Sequence, residues 1–284
     1  DRLGYAGGAN VSGDQVKKLD VWGHETMVAA LRATGACAAL ISEEAAAPVE
    51  MEEARGLDAL VVCCDPVDGS SNLDVNGTVG TIFSVRPGHG RRPAGPAVLG
   101  RPCSEQLAAG YVMYGPATAL VYTTGRGAHG FTLNRDTGEF LLTHPDIRIP
   151  RKGKVYGINE GNFHSWHPGQ RAFVEYLRTP DKATGRPYSL RYSGAMVADV
   201  HRTLLDGGLF MYPADCSDPT KPKGKLRLLY EVAPMAFITE QAGGRASTGT
   251  GRVLDLVATE YHQRAAVILG SPDDVALAEE FYRR

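Results

Sequence analysis

The chain has 284 residues, enough for one large α/β unit or two subdomains around a sizeable core. Its 30 basic and 32 acidic residues leave a formal net charge of −2, which argues against a general nucleic-acid binder, since that needs a basic face. No stretch approaches the roughly 18 consecutive apolar residues of a membrane-spanning helix, so no membrane association is expected.

Cys37, Cys63, Cys64, Cys103 and Cys216 are odd in number and show no CxxC spacing, which fits a reducing, cytoplasmic setting. The sequence opens at Asp1 without Met or a signal-like segment, so it is expected to be a fragment or the ordered part of something longer, in which any targeting peptide is not visible.

From Gln15 to Arg32 the apolar positions Val16, Leu19, Met27, Val28 and Leu31 predict a helix, with Ser12 or Asp14 as its cap. Asp20 and Glu25 lie on or near it, and each is expected to face solvent, as charged helix residues mostly do. Ala38 to Ser42 reads as a short strand ending at Glu43-Glu44. Adjacent residues on an extended segment point to opposite faces, so one of these carboxylates can bind a metal while the other faces a water. Met51 to Asp58 is polar connection. Leu60 to Cys64 reads as a buried strand, after which the chain breaks at Pro66 and turns at Gly69. Asp65 and Asp68 leave that strand end together and can converge on one point, with Val67 between them. Such an oxygen-rich, negative spot suits a hard cation such as Mg²⁺. Gly69, Ser70 and Ser71 follow at once, and their backbone N–H groups can approach a phosphate. A metal-dependent phosphate enzyme is the expectation.

Thr81 to Val85 reads as a strand, and Arg86 to Pro102, rich in Gly, Pro and Arg, as a surface loop. Phe131–Asn134 and Glu139–Thr143 flank a hairpin signal at Arg135 to Gly138. Polar punctuation from Pro145 to Gly153 suggests a subdomain boundary, dividing the chain into 1–150 and 151–284. The second half alternates: strand Val155–Asn159, helix Gln170–Leu177, helix Met196–Leu205, strand Leu209–Tyr212, helix Leu228–Gln241 closed by Gly243-Gly244, strand Ala265–Leu269, and a helix begun by Ser271-Pro272. Strands alternating with helices predict a layered α/β fold. Glu231 enters an apolar helix, where a carboxylate is rarely buried without a cation. Lys225 and Arg227 alternate with Leu226 and Leu228, which puts both cations on one strand face; for Arg227 an exposed basic edge competes with a site role. Ser193-Gly194-Ala195-Met196 opens a helix whose N–H groups offer an anion or hydroxyl site, with Arg191 and Tyr192 just before it. His201 reads as a hydrogen-bonded structural histidine. No G-x-S-x-G elbow and no G-x-G-x-x-G after a strand occur, which leaves a serine relay and a dinucleotide fold unsupported.

Taken together, Gly13–Asp20, Asp65–Asp74, Asn159-Glu160-Gly161, Gly194–Leu204, Gly224–Glu231 and His262–Ala265 resemble fructose-1,6-bisphosphatase through nearly the whole chain. The D-P-x-D-G-[ST]-x-N element alone is shared with the wider lithium-sensitive phosphatases; the later segments are more specific. The resemblance implies a layered α/β/α/β/α sandwich of two subdomains lacking that family's N-terminal helices. It implies a homotetramer that hydrolyses a sugar bisphosphate in gluconeogenesis and sugar-phosphate metabolism. It implies Mg²⁺, with Mn²⁺ able to substitute, on residues matching Glu43, Asp65, Asp68, Glu231 and the Val67 carbonyl. Asp20 and Glu25 match residues beside the metal, and Glu25 with Glu44 the pair that activates water. Gly69, Ser70 and Ser71 match the cradle of the 1-phosphate. Asn159, Tyr192, Tyr212 and Lys225 match the 6-phosphate grip, and Gly194 and Met196 match sugar contacts. Arg191 matches an arginine given to a neighbouring subunit's site. Sedoheptulose-1,7-bisphosphatase, or dual specificity, is the nearest rival; a non-catalytic sugar-phosphate-binding regulator is the non-enzyme alternative.

Overall fold

Helix α1 (Lys18–Thr34) begins where a short pair of strands, β1 (Tyr5–Ala9) and β2 (Gln15–Lys17), ends. The computed structural model describes residues 4–9, 15–56, 59–90, 93–218, 220 and 224–284, and of residues 8, 9, 15 and 16 the backbone alone. The expected caps Ser12 and Asp14 lie outside the described residues. The helix is closed by its own Asp20, whose Oδ2 accepts the Lys17 amide proton at 2.7 Å, satisfying a donor that no helix carbonyl reaches. That bond draws Asp20 inward to 4 % exposure, against the expectation that it faces solvent. Glu25 is exposed, as expected of it from the helix pattern.

The larger sheet is built from β3 (Cys37–Ser42), β4 (Val49–Glu50), β5 (Leu60–Asp68), β6 (Val79–Pro87), β7 (Ala108–Tyr114), β8 (Thr118–Thr123), β9 (Ala128–Asn134) and β10 (Glu139–Ile147). Among the described residues its order is β10-β9-β8-β7-β6-β5-β3-β4. β3 and β5 run parallel; the other neighbours are antiparallel. The parallel pair brings two C-terminal strand ends to one edge. Glu43 and Glu44 therefore emerge beside Asp65 to Asp68, and the Glu43 amide donates to the Cys64 carbonyl at 3.1 Å.

Alternate residues of β3 and β5 sort to opposite faces, as period-two side chains must. Leu40, Val62 and Cys64 pack with Met27, Val28 and Leu31 of α1. Ala39, Ile41, Val61 and Cys63 join a central core with residues of α3 (Met196–Asp206) and α4 (Ala233–Gln241). On the far side of those helices lies the second sheet, of β11 (Val155–Gly157), β12 (Ser189–Leu190), β13 (Leu209–Tyr212), β15 (Arg245–Ser247) and β17 (Val267–Gly270), ordered β12-β11-β13-β17-β15. Phe210, Tyr212, Val267 and Leu269 face the central helices. Leu209, Met211 and Ile268 face outward onto Phe173, Leu177 and Val275 of α2 (Pro168–Arg178) and α5 (Pro272–Arg283). The result is the expected α/β/α/β/α layering. A small ribbon of β14 (Leu226–Arg227) with β16 (Arg264–Ala265) stands apart from both sheets. Among the described residues no helix is long and apolar enough to cross a membrane.

Several local expectations are corrected. β5 does not break at Pro66 but runs on to Asp68; its ladder with β6 shifts between Asp65 and Asp68, and an irregularity of this kind accommodates a residue with no N–H. The stretch from Arg86 to Pro102 is partly interior. Ala94, Ala97 and Val98 are buried, and Glu50 accepts from the amides of Ala94 and Gly95 at 2.8 Å each. The expected helix Leu228–Gln241 is a π turn, Leu228–Val232, followed by α4, with Pro234 in the first turn of the latter. Ser271 precedes α5 as expected but does not cap it: its hydroxyl donates to the Pro150 carbonyl at 2.6 Å and accepts from the Gly208 amide at 2.9 Å.

Candidate active site

Acids from four segments meet at the edge where β3 and β5 end. β5 carries Asp65 and Asp68, 3 % and 6 % exposed, and the π turn brings in Glu231, 5 % exposed. One oxygen from each of these three carboxylates lies within 4.8 Å of the other two. Glu43 joins from the end of β3, its Oε1 3.3 Å from Nη2 of Arg227. Asp20 joins from α1, and its buried Oδ1 has no hydrogen-bond partner. These groups line a cavity of about 550 Å³ together with Glu44, Val67, Gly69, Ser70, Ser71, Asp74, Lys17, Lys225 and Arg227.

Local chemistry explains the placement. The Val67 amide donates to Asp65 Oδ1 at 2.9 Å, and the Thr81 hydroxyl donates to the Pro66 carbonyl at 2.8 Å, which pins the strand end. Asp68 Oδ2 accepts from the Val197 amide at 2.8 Å; the free N–H groups of a helix start favour a carboxylate there. Gly69 holds φ +78, and a Cβ on it would lie 2.5 Å from Ala195 Cβ, so the turn admits glycine alone. Asn72 Nδ2 donates to the carbonyls of Thr78 and Ser193 at 3.0 and 3.1 Å, tying this loop to the segment that opens α3. Glu231 Oε2 accepts from the Arg227 amide at 2.6 Å. Its π turn is a helix form that recurs at functional sites.

Burial is the leading cause that pushes these acids up. Asp20 rises to about 6, Asp68 to about 7 and Glu231 to about 8, while Asp65 is held well above the usual carboxylate range. The charge of Glu43 adds to the rise in all four. The Val197 and Met196 amides pull Asp68 back, and Arg227 pulls Glu231 back. Buried acids forced toward the protonated form by desolvation and mutual repulsion are the donor set that a hard divalent cation restores to full charge. The three converging oxygens and the orphaned Asp20 Oδ1 fit such an ion.

Of the residues expected from the sequence, Asp20, Glu43, Glu44, Asp65, Val67, Asp68, Gly69, Ser70, Ser71, Lys225 and Glu231 share this cavity. Glu25 does not line it and stands exposed on α1. Met196 is 3 % exposed at the first position of α3, behind the loop, and Gly194 lies two residues before it with φ +82. Tyr212 adjoins Lys225, whose Nζ is 5.8 Å from the ring centroid, and Tyr192 stands near Tyr212. Asn159 Oδ1 accepts from the Gly161 amide at 3.2 Å. Arg191 is exposed and donates to the Leu190 carbonyl at 2.8 Å. The competing reading of Arg227 as an exposed basic edge is corrected, since it is 3 % exposed and its guanidinium meets Glu43. His201 is structural as expected, with Nδ1 2.7 Å from the Tyr111 hydroxyl. Sequence reading missed the ion pair of Lys17 with Asp74 in the cavity wall. Asp74 closes the ten-residue acidic motif, which was its one available signal.

Comparison with known families agrees with this architecture. The family model "Fructose-1-6-bisphosphatase, N-terminal domain" matches residues 1–145 and its C-terminal counterpart matches 149–283. The chain belongs to the fructose-1,6-bisphosphatase family. A class 1 fructose-1,6-bisphosphatase of Oleidesulfovibrio alaskensis is 48% identical over 288 residues, covering 100% of this chain and 85% of that protein. The class 1 relative from Chlorobium chlorochromatii is 49% identical and covers 99% and 84% respectively. Among solved structures, fructose-1,6-bisphosphatase of Leishmania major in holo form superposes with a TM-score of 0.92 at 42% identity, covering 100% of this chain and 86% of that one.

Proposed function

We propose that this chain hydrolyses the 1-phosphate of fructose 1,6-bisphosphate to give fructose 6-phosphate and inorganic phosphate, with Mg²⁺ as cofactor and Mn²⁺ able to replace it. The observation that carries this reading is the buried convergence of Asp65, Asp68 and Glu231 beside the Gly69–Ser71 turn, in a chain of this family. Glu43, Asp65, Asp68, Glu231 and the Val67 carbonyl would hold the ions, which when bound supply positive charge to the phosphoryl and leaving oxygens and acidify a nearby water.

The remaining work belongs to the protein. Glu44 takes the proton of the attacking water, with Asp20 on the same cavity wall, and Glu25, exposed on α1 outside the cavity, assists Glu44 from the solvent side. The loose transition state of phosphoryl transfer spreads charge over the equatorial oxygens, and the amides of Gly69, Ser70 and Ser71 offset it. Asn159, Tyr192, Tyr212 and Lys225 hold the 6-phosphate, while Gly194 and Met196 contact the sugar, so the reacting phosphorus is fixed in line. Arg191, being exposed, reaches a neighbouring subunit's site in a homotetramer. Residues 1–150 supply the reacting-phosphate turn and 151–284 the sugar grip, in a cytoplasmic enzyme of gluconeogenesis. Phosphate release measured with and without Mg²⁺ tests the reading. Asp68→Ala should abolish release while the protein stays folded; a fully active variant would remove the metal assignment.

A further inference from the structure

We propose that Arg264 is a further substrate-binding residue that grips the distal phosphate beside Lys225 and Tyr212, with which it lines one cavity; this rests on the bisphosphatase reading above. A second cavity of about 270 Å³ adjoins the first, and Lys225 lines both. Tyr212, Asn162, Ser165, Asp215 and Arg264 are among its other walls.

The β14–β16 ribbon explains why two cations converge there. Leu226 pairs with Ala265, and Arg227 with Arg264. Side chains alternate across a strand. Leu226 and Ala265, 9% and 8% exposed, face the core, so Lys225, Arg227 and Arg264 share the opposite face. Gly224 permits the close approach of the two segments, since a Cβ there would lie 2.4 Å from the Ala265 carbonyl carbon. Lys225 and Arg264 are therefore diagonal cross-strand neighbours, about 7 Å apart and within reach of one ligand.

The three cations divide between the two cavities. Arg227 turns into the acidic cavity and meets Glu43. Lys225 stands at the junction, and Arg264 lines the second cavity. Guanidinium offers a planar fork of donors and ammonium a point charge, a pair well matched to the oxygens of a phosphate dianion. Ser165, Tyr212 and Asn162 add neutral donors, and Asp215 places one carboxylate on the same wall. The acid-lined first cavity, by contrast, disfavours a second phosphate. A sugar bisphosphate would lie with its reacting group on the Gly69–Ser71 turn and its distal group against Lys225 and Arg264.

The test compares the full chain with Arg264→Gln and Arg264→Lys in saturating Mg²⁺. Arg264→Gln should raise KM for fructose 1,6-bisphosphate roughly tenfold, the scale of one charge-assisted contact to phosphate, with kcat held within about twofold. Arg264→Lys should fall between, and product inhibition by fructose 6-phosphate should weaken in parallel with KM. Hydrolysis of fructose 1-phosphate, which lacks the distal group, should be the same in all three proteins. KM and product inhibition unchanged in Arg264→Gln would overturn the assignment, as would equal loss on both substrates or a lowered melting temperature with KM intact. A parent chain that releases no phosphate in Mg²⁺ would instead remove the underlying bisphosphatase reading.

Discussion

Replacing Gly69 with alanine probes the contact between the Gly69–Ser71 turn and the start of helix α3. The new methyl carbon would stand 2.5 Å from Cβ and 3.0 Å from Cα of Ala195, on a backbone held at φ +78. Left-handed geometry costs a residue with a Cβ roughly 1–2 kcal/mol. Forcing a methyl into a filled contact adds about 1–3 kcal/mol, and Ala195, at 0% exposure, has no room to retreat. The expected loss is therefore ~2–5 kcal/mol. Gly138→Ala is the matched control: φ is +73 in the β9–β10 hairpin, nothing lies within 4 Å of a built Cβ, and the left-handed cost should stand alone. Relief of the Gly69 strain would shift the turn away from α3, where the Val197 amide holds Asp68. A misplacement of ~1 Å at a reacting centre can cost about 100-fold in rate. Urea unfolding midpoints and kcat/KM on fructose 1,6-bisphosphate measure the two effects. If Gly69→Ala unfolds with Gly138→Ala and keeps parental kcat/KM, the close approach to Ala195 does not constrain the site.

Lys225→Ala should raise KM for the bisphosphate more than it lowers kcat; an unchanged KM would remove Lys225 from the distal grip. Mg²⁺ at about 100 times its Kd should stabilise the parent by roughly 2.7 kcal/mol in thermal unfolding. Glu231→Gln should lose most of that gain, and retention of it would exclude Glu231 as a ligand. His201 is held below its ordinary value of 6.5, chiefly by burial and then by His144. The unfolded chain thus binds a proton that the folded one resists, and stability falls as pH drops below about 6.5. His201→Gln should therefore lose less stability than the parent between about pH 7.5 and about pH 5; equal losses in unfolding free energy would show that His201 does not contribute to the acid limb.

The features legible in the sequence were those written in contiguous residues. The apolar run Leu60–Cys64 marks a strand, though β5 continues beyond it to Asp68, and the Gly-Ser-Ser after Asp68 marks the turn that ends it, while Leu209–Tyr212 came out with its bounds unchanged. What escaped depends on contacts distant in sequence. Asp20 looks solvated on a helical pattern and is buried because it caps its own helix beneath Glu43. Arg227 is an ordinary basic residue until Glu43 is placed against it. Strand β7 gave no clear signal, since Ala108, Ala109 and Gly110 supply little apolar alternation and its sheet neighbours supply the packing. The π turn follows from no periodicity, although Pro234 just beyond it marks an irregular helix start.

The parallel neighbours β3 and β5 and the π turn that carries Glu231 are far apart along the polypeptide, and this orders events during synthesis. A nascent chain that has emerged only through Tyr212 already possesses Asp65 and Asp68 but lacks Glu231 to complete the trio. Divalent-ion affinity should therefore rise late and abruptly, once the last quarter has docked, making cation capture a reporter of finished assembly.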